Sequence, residues 1–228
     1  MNDIGPFELN HIYNMDCLEA MKQMPDGCVD LVLTDIPYNI SQKSNGLRNL
    51  DYGEWDKQNG MEVIWANEML RLSKQTIIVF CRKSQFSHIE NIFTSGGLST
   101  RTIIWHKSNP TVLNCDKLYI ESTELAVYGK KPKGTYNPTY KHNVFDLDNA
   151  PSDRVHPTQK PVLLFEEFIL DCTKLGDIIL DPFLGSGTTA VACIKTDRNF
   201  IGMEISPEYC EMAQKRVDAE LAQLKLEL

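Results

Sequence analysis

The sequence predicts an α/β domain in which a mixed, mostly parallel sheet carries helices on both faces. Hydrophobic, β-rich segments alternate along the chain with amphipathic segments, and this alternation is typical of that architecture. The chain has no repeat or low-complexity tract, and its 228 residues suit a single core that needs neither disulfides nor metals. We therefore expect residues 1–228 to form one domain.

Seven segments have the apolar and β-branched content of strands and predict a seven-stranded sheet. In chain order they are residues 11–14, 29–34, 76–81, 102–106, 124–128, 178–180 and 200–203. The second and sixth are continuous apolar runs, as expected of strands buried on both faces. The polar residues that follow these two strands therefore lie where ligands bind in α/β sheets.

Six amphipathic segments predict helices. In chain order they are residues 17–24, 61–72, 85–94, 162–174, 188–195 and 207–224. Ser206 and Pro207 mark the clearest start, because serine suits the N-cap and proline the first helical position. Two polar stretches, 39–60 and 130–154, lack predicted elements. Connections this long in one domain are usually functional or mobile, so we interpret both as substrate-recognition loops.

The net charge of -8 favours partners other than nucleic acid, since phosphate binding requires clustered cations. A local basic face is nevertheless compatible with the sequence, since two short stretches are rich in cations: Lys130, Lys131 and Lys133, and Lys43 and Arg48.

The remaining bulk features exclude several classes of protein. The apolar runs are too short to span a bilayer, and the N-terminus lacks the basic region of a secretory leader. We therefore expect a soluble, intracellular protein with no membrane partner. The 7 cysteines are odd in number and form no CxxC pair, which argues against a disulfide framework and a zinc site. We expect reduced core thiols and no metal.

A glycine-rich segment follows the predicted strand 178–180 and opens the predicted helix 188–195. Its residues are Asp181-Pro182-Phe183-Leu184-Gly185-Ser186-Gly187-Thr188-Thr189. The two glycines allow a tight turn and close approach of a ligand, while free N–H groups at the helix start can bind a carboxylate or phosphate. Glu204 ends the next predicted strand, where its carboxylate can accept hydrogen bonds from ribose hydroxyls. The segment therefore suits any cofactor that contains adenosine.

The same glycine run also matches the relaxed dinucleotide fingerprint, which keeps a nicotinamide-dependent oxidoreductase open as an alternative. Only about forty residues follow the run, too few for the second nucleotide-binding half of that fold.

The tetrapeptide Asp35-Ile36-Pro37-Tyr38 follows the predicted strand 29–34. Methyl transfer to an aromatic amine requires the nitrogen lone pair to point at the methyl carbon, and acceptors on the amino protons direct it there. The Asp35 carboxylate and the Ile36 carbonyl can be those acceptors, Pro37 stiffens the turn, and Tyr38 can stack on a base. A base within duplex DNA reaches such a pocket only after it is flipped out.

Together these stretches resemble the amino-methylating DNA methyltransferases, whose catalytic signature is D/N/S-P-P-Y/F/W and whose cofactor signature is F-x-G-x-G. Here they read DIPY at 35–38 and FLGSG at 183–187, and HPTQKP stands at 156–161. The catalytic motif precedes the cofactor motif, as in the permuted β group of that family. The resemblance implies a Rossmann-like, S-adenosylmethionine-dependent methyltransferase fold with permuted motif order.

The resemblance assigns catalysis to residues 35–38, with Ile36 standing where the family usually has proline. It assigns cofactor binding to Asp16, Cys17, His156, Thr158, Lys160, Asp181, Phe183, Gly185, Ser186, Gly187, Thr188, Thr189 and Glu204. Lys160 and Thr158 are expected at the methionine carboxylate, near the helix start at Thr188. Asp16 is expected at the cofactor adenine, although it could equally cap a helix with Glu19 as its partner.

The resemblance further implies transfer of a methyl group from S-adenosylmethionine, leaving S-adenosylhomocysteine, to N6 of adenine in DNA. Aspartate at position 35 favours adenine N6 over cytosine N4, which stays an alternative, as does a catalytically silent DNA-binding relative. Residues 39–60 and 130–154 become candidate DNA-recognition loops. A homodimer would enlarge the DNA footprint of an acidic chain, and we expect a cytoplasmic protein of bacterial or phage origin.

Overall fold

Apolar, β-branched runs form the sheet, and the segments between them supply the helices. The computed structural model describes residues 3–38, 60–110, 117–149 and 159–227. Within these ranges the strands are β1 (His11–Asn14), β2 (Val29–Asp35), β3 (Ser73–Cys81), β4 (Ser99–Lys107), β5 (Thr123–Lys130), β6 (Val144–Leu147), β7 (Ile178–Asp181) and β8 (Asn199–Glu204). The helices are α1 (Cys17–Met21), α2 (Met61–Leu72), α3 (Lys83–Ser95), α4 (Val162–Cys172), α5 (Thr188–Lys195) and α6 (Pro207–Glu227).

The strands form one sheet in the order β1-β8-β7-β2-β3-β5-β4-β6. Among the described strands β5 alone runs against its neighbours, so the expected mixed, mostly parallel sheet is confirmed. The prediction of seven strands was wrong, because β6 is an eighth strand inside the segment 130–154. It escaped prediction because it has 4 residues and buries only Phe145, too weak an alternation to stand out from a polar stretch.

Helices cover both faces of the sheet, as predicted. Successive residues of a strand point to opposite faces, and Val32 packs with α1, α2 and α3 while Leu31 and Leu33 pack with α4, α5 and α6. Helix α1 ends at Met21 rather than at the predicted Met24, and Met24 itself is disfavoured in a helix because it precedes Pro25.

Neighbouring strands β2 and β7 are parallel, with Leu31 opposite Ile179 and Val32 opposite Leu180. The chain leaves β2 towards β3 on one side, and β7 stands on the other side. Crevices at such switch points, beyond the carboxyl ends of the strands, are the usual ligand sites of α/β sheets. Both predicted motifs therefore meet at one edge of the sheet.

The segment 130–154 is divided between the two edges of the sheet. Lys130 pairs with Thr76, at the edge opposite Asp35, and the ammonium groups of Lys130 and Lys131 donate to backbone carbonyl oxygens. Strand β6 is parallel to β4 and returns the chain to the edge of Asp35. The DNA-recognition roles of this segment and of 39–60 stay predictions, and residues 39–59 and 150–158 lie outside the described ranges.

The 6 cysteines within the described ranges are free, and 5 of them are buried, as expected of core thiols. None of the helices in those ranges combines the length and the apolar character needed to cross a membrane.

Candidate active site

A cleft opens at the carboxyl ends of β2 and β7. Counted with the solvent at its mouth, it contains about 1150 Å³ of empty space. Every predicted site residue in the described ranges lines it except Gly187. His156 and Thr158 lie outside the described residues. The fold thus brings the two ends of the chain together in one cleft.

Asp35 is the last residue of β2, and one of its carboxylate oxygens is engaged while the other is not. Oδ2 accepts a hydrogen bond from the Lys160 ammonium. Oδ1 is buried and has no hydrogen-bond partner within the described part of the chain. Burial raises the pKa of Asp35, Lys160 opposes this effect and Glu124 reinforces it. Asp35 therefore presents, in the cleft, an acceptor that none of the described residues uses.

The turn after Asp35 is fixed by its backbone. The Ile36 N–H donates to the Phe80 carbonyl at 3.2 Å, and the Ile36 side chain, 2% exposed, packs into the core. The buried Gln85 side chain donates from Nε2 to the Pro37 carbonyl at 2.8 Å. A proline at position 36 has no N–H to donate, so isoleucine supplies a contact that the usual family residue lacks.

A cluster of charges packs beside Asp35, in which Lys160 is buried and Glu124 and Lys107 are partly buried. Glu124 accepts hydrogen bonds from the Lys160 ammonium at 2.9 Å, from the Lys107 ammonium at 2.6 Å and from the Tyr38 hydroxyl at 3.1 Å. Burial favours neutral Glu124, but Lys160 and Lys107 outweigh it and lower the pKa of Glu124 to about 2. Burial likewise opposes the charge of Lys160, but Asp35 and Glu124 raise the pKa of its ammonium. Two ammonium groups thus balance two carboxylates.

Asp181, the last residue of β7, has both carboxylate oxygens engaged. Oδ1 accepts from the Thr34 hydroxyl at 2.6 Å and from the Phe183 N–H at 3.0 Å, and Oδ2 accepts from the Thr189 hydroxyl. Burial raises the pKa of Asp181 to about 6, although these hydrogen bonds oppose the shift. Asp181 therefore ties β2, the glycine turn and α5 together at the floor of the cleft.

The glycine turn has a shape that other residues cannot adopt without strain. Gly185 and Gly187 have φ of 54° and 84°, in the left-handed region that favours glycine. A Cβ on Gly187 would lie 2.9 Å from the Cβ of Ala213 in α6. Arg216 of the same helix donates from Nη1 to the Ser186 carbonyl at 2.6 Å. Helix α6 therefore packs on the turn and fixes it.

Two acidic residues lie at the far end of the cleft. Glu204 ends β8 and accepts from the Gly185 N–H at 2.9 Å and the Ser206 N–H at 2.8 Å. Asp16 caps α1, where Oδ1 accepts from the N–H groups of Leu18 and Glu19. Since each carboxylate oxygen has two acceptor directions, both side chains keep capacity for a ligand.

The comparisons with known proteins agree on one family. Residues 29–215 match the family model of N6/N4 methyltransferases, described as DNA methylase. The chain is 29% identical to the Type II methyltransferase M2.DpnII of Streptococcus pneumoniae, over 92% of this chain and 90% of that protein. The chain belongs to the DNA methylase family.

Solved structures give the same result. The M1.HpyAVI–SAM complex is 30% identical to the methylase, with a TM-score of 0.73 over 91% of this chain and 98% of that one. The cytosine-N4-specific PvuII DNA methyltransferase is 19% identical, with a TM-score of 0.69 over 94% of this chain and 88% of that one, and it shares the fold. The chain is thus a site-specific DNA methyltransferase, and an oxidoreductase is excluded.

In the methylase, several predicted cofactor residues hold the cleft together. Lys160 was expected at a methionine carboxylate, and its ammonium here bridges Asp35 and Glu124. The Thr188 hydroxyl donates to the Lys160 carbonyl at 3.4 Å, which links the start of α5 to this lysine. Burial raises the pKa of the Cys17 thiol to about 12, so Cys17 offers its backbone rather than a thiolate. The cofactor roles of these residues stay predictions.

Sequence reasoning missed four residues that shape the methylase site, namely Trp65, Gln85, Glu124 and Arg216. Trp65 lies in the cleft wall and meets the Phe183 ring edge-on, with 4.7 Å between ring centroids. Glu124 had one signal, a charge at the start of a predicted strand. The signal does not identify the site by itself. Because β5 is antiparallel to β3, its first residues lie at the same edge of the sheet as Asp35.

Proposed function

We propose that this methylase transfers a methyl group from S-adenosylmethionine to the exocyclic N6 of an adenine flipped out of DNA, with Asp35 as the principal acceptor of the amino group. The observation that carries the proposal is the buried Asp35 Oδ1, which lacks a partner among the described residues while Oδ2 is held by Lys160. An exocyclic amino group is the donor that such an oxygen accommodates.

The cleft suits S-adenosylmethionine. Glu204 and Asp16 offer acceptors for ribose hydroxyls and an adenine amino group, Trp65 and Phe183 supply apolar walls, and the N-terminus of α5 favours a carboxylate. When bound, this cofactor would supply a sulfonium methyl group to the amine nitrogen and leave as S-adenosylhomocysteine, with the electrons of the broken carbon–sulfur bond kept on sulfur and the surplus amine proton passed to solvent.

The residues of the tetrapeptide direct this chemistry. Asp35 and the Ile36 carbonyl accept the two amino protons, which localises the lone pair and stabilises positive charge on nitrogen. Tyr38 stacks on the flipped base and returns part of the cost of flipping, about a few kcal/mol. Asp35, Tyr38 and Lys160 all stand in one connected cluster, which argues against a silent DNA-binding relative.

Analysis of the methylated base tests the proposal. Unmethylated bacterial genomic DNA is incubated with the protein and S-adenosylmethionine, digested to nucleosides and analysed by mass spectrometry. We expect N6-methyladenine, and none with Asp35→Asn. N4-methylcytosine would transfer the assignment to the cytosine alternative, and the absence of any methylated base would overturn the proposal.

A homodimer stays a prediction that light scattering can test.

A further inference from the structure

Glu124 occupies the centre of the charge cluster but does not line the cleft. Its Oε2 accepts from both the Lys160 ammonium and the Tyr38 hydroxyl, and its Oε1 accepts from Lys107. Glu124 thus touches two neighbours of Asp35 without facing the substrate. We propose that Glu124 is a positioning residue for methyl transfer, which acts through Lys160 and Tyr38 to keep Asp35 Oδ1 free for the target amine.

The Lys160 side chain is 4% exposed. Its ammonium group has three N–H donors. Without a competing acceptor, both carboxylate oxygens of Asp35 could accept hydrogen bonds from it. Glu124 Oε2 competes for this ammonium from 2.9 Å away, while Asp35 engages it through Oδ2 only. Glu124 therefore limits Lys160 to one oxygen of Asp35 and leaves the other available.

The second contact fixes the aromatic side of the site. The Tyr38 hydroxyl donates to Glu124 at 3.1 Å, and the Lys160 ammonium lies 3.4 Å from the same hydroxyl oxygen. This ammonium also lies 5.4 Å from the centroid of the Tyr38 ring. One carboxylate thus orients both the ring proposed to stack on the base and the lysine that holds Asp35.

The charge of Glu124 has an effect that a packing role would not produce. Within the described ranges, the titratable groups around Asp35 are Lys160 before α4, Glu124 on β5, Tyr38 after β2, Cys81 on β3 and Asp181 on β7. Among them Glu124 acts to raise the pKa of Asp35. Glu124→Gln keeps the size of the side chain but removes this charge. The acid limb of kcat, which follows ionisation of Asp35, therefore moves to lower pH.

The test measures kcat and KM from pH 5 to 9 with labelled S-adenosylmethionine and unmethylated bacterial genomic DNA; this pH range spans about two units on either side of neutrality. For Glu124→Gln we expect kcat to fall about ten- to hundredfold, as for a displaced catalytic group, with a lower acid limb and a cofactor KM within a few-fold. Glu124→Asp keeps the charge and should recover part of kcat with the limb of the parent. Glu121→Gln, the same change at an exposed neighbour, should match the parent.

Two further variants keep the inference falsifiable. Tyr38→Phe removes only the hydroxyl that Glu124 holds and should lower kcat several-fold even if Glu124→Gln does not fold. Parental kcat in Glu124→Gln or in Tyr38→Phe, or an unmoved acid limb in Glu124→Gln, overturns the inference. The inference rests on the proposed function, which Asp35→Asn tests separately: an active Asp35→Asn refutes the site assignment, whereas an inactive one beside a fully active Glu124→Gln refutes the role of Glu124 alone.

Discussion

Asp35 and Asp181 end neighbouring parallel strands and line the same cleft, yet their hydrogen bonding differs. Asp181 accepts from three donors on three segments of the chain. Asp35 accepts from Lys160 through one oxygen, and its other oxygen has no partner in the part of the chain that the structure describes. Both carboxylates have a raised pKa because of burial.

The difference separates a structural carboxylate from a catalytic one. A buried acceptor without a partner costs about 1–3 kcal/mol of folding free energy. A protein retains such an acceptor where a bound ligand supplies the missing hydrogen bond. Asp181 has both oxygens engaged and at most one acceptor direction left, whereas one oxygen of Asp35 accepts from none of the described residues. Strand position alone would not have distinguished the two residues, because both follow apolar runs and precede a proline by one or two positions.

Asp35→Asn provides the sharpest test of this comparison. The amide puts a donor where the target amine needs an acceptor, so we expect kcat to fall by at least about a hundredfold, the scale measured for single groups that stabilise a transition state. Cofactor affinity, measured by calorimetric titration, should stay within a few-fold, because Asp35 faces the base. Asp218→Asn, at an exposed carboxylate on α6, is the charge-matched control and should retain parental turnover.

Asp181→Asn should affect folding more than chemistry. The amide NH2 group is a donor and would face at least one of the three groups that now donate to Asp181. The lost hydrogen bond costs about 1–3 kcal/mol of unfolding free energy. The pKa of about 6 lies above the ordinary 3.8, so the folded protein binds this proton more tightly than the unfolded chain does. The charge of Asp181 therefore lowers stability as the pH rises from about 4 to about 6, by about 3 kcal/mol. Asparagine lacks this loss.

Urea unfolding at pH 4 and pH 7 measures this effect. We expect Asp181→Asn to be less stable than the parent at both pH values, with a deficit about 2–3 kcal/mol larger at pH 4 than at pH 7. A constant difference between the two proteins at both pH values would show that Asp181 is not held as a raised-pKa carboxylate. A loss of turnover as deep as that of Asp35→Asn would erase the distinction between the two aspartates.

The parts of the site that follow one strand were predictable from the sequence. The continuous apolar runs 29–34 and 178–180 identified buried strands, and the residues immediately after them, Asp35 and Gly185, therefore had to lie at one edge of the sheet. Local chemistry at these strand ends, such as the need for glycine at positions 185 and 187, is encoded in a few adjacent residues.

The parts that depend on pairing across the sheet were not predictable. The direction of β5 decides which edge receives Glu124 and which receives Lys130, and a strand's residue content does not encode its direction. The basic cluster at Lys130 and Lys131 consequently suggested a DNA face, whereas β5 ends at Lys130, at the edge opposite Asp35, and Lys131 follows it there. One partner of Asp181 was hidden for a related reason, because Thr34 is distant from it in the sequence.

Ile36→Pro restores the usual family residue and gives the smallest expected effect. Proline restricts the unfolded chain, which stabilises by about 0.4–1 kcal/mol. It also removes the N–H that donates to Phe80, worth about 1 kcal/mol, and part of a side chain that is 2% exposed, worth about 1–2 kcal/mol. We therefore expect a net loss of about 1–2 kcal/mol in unfolding free energy and no gain in kcat.

This variant also distinguishes two explanations of Ile36. If isoleucine marked decay of the catalytic turn, proline would raise kcat. If isoleucine is an alternative way to fix the turn, through its N–H and its buried side chain, proline leaves kcat unchanged or lower and reduces stability. Ile36→Val keeps the N–H and loses one methylene, so it should stay closer to the parent than Ile36→Pro in urea unfolding. A more stable and more active Ile36→Pro would contradict the compensating role of the Ile36 contact. The turn that positions Asp35 would then be poorly fixed, unlike the backbone around Asp181.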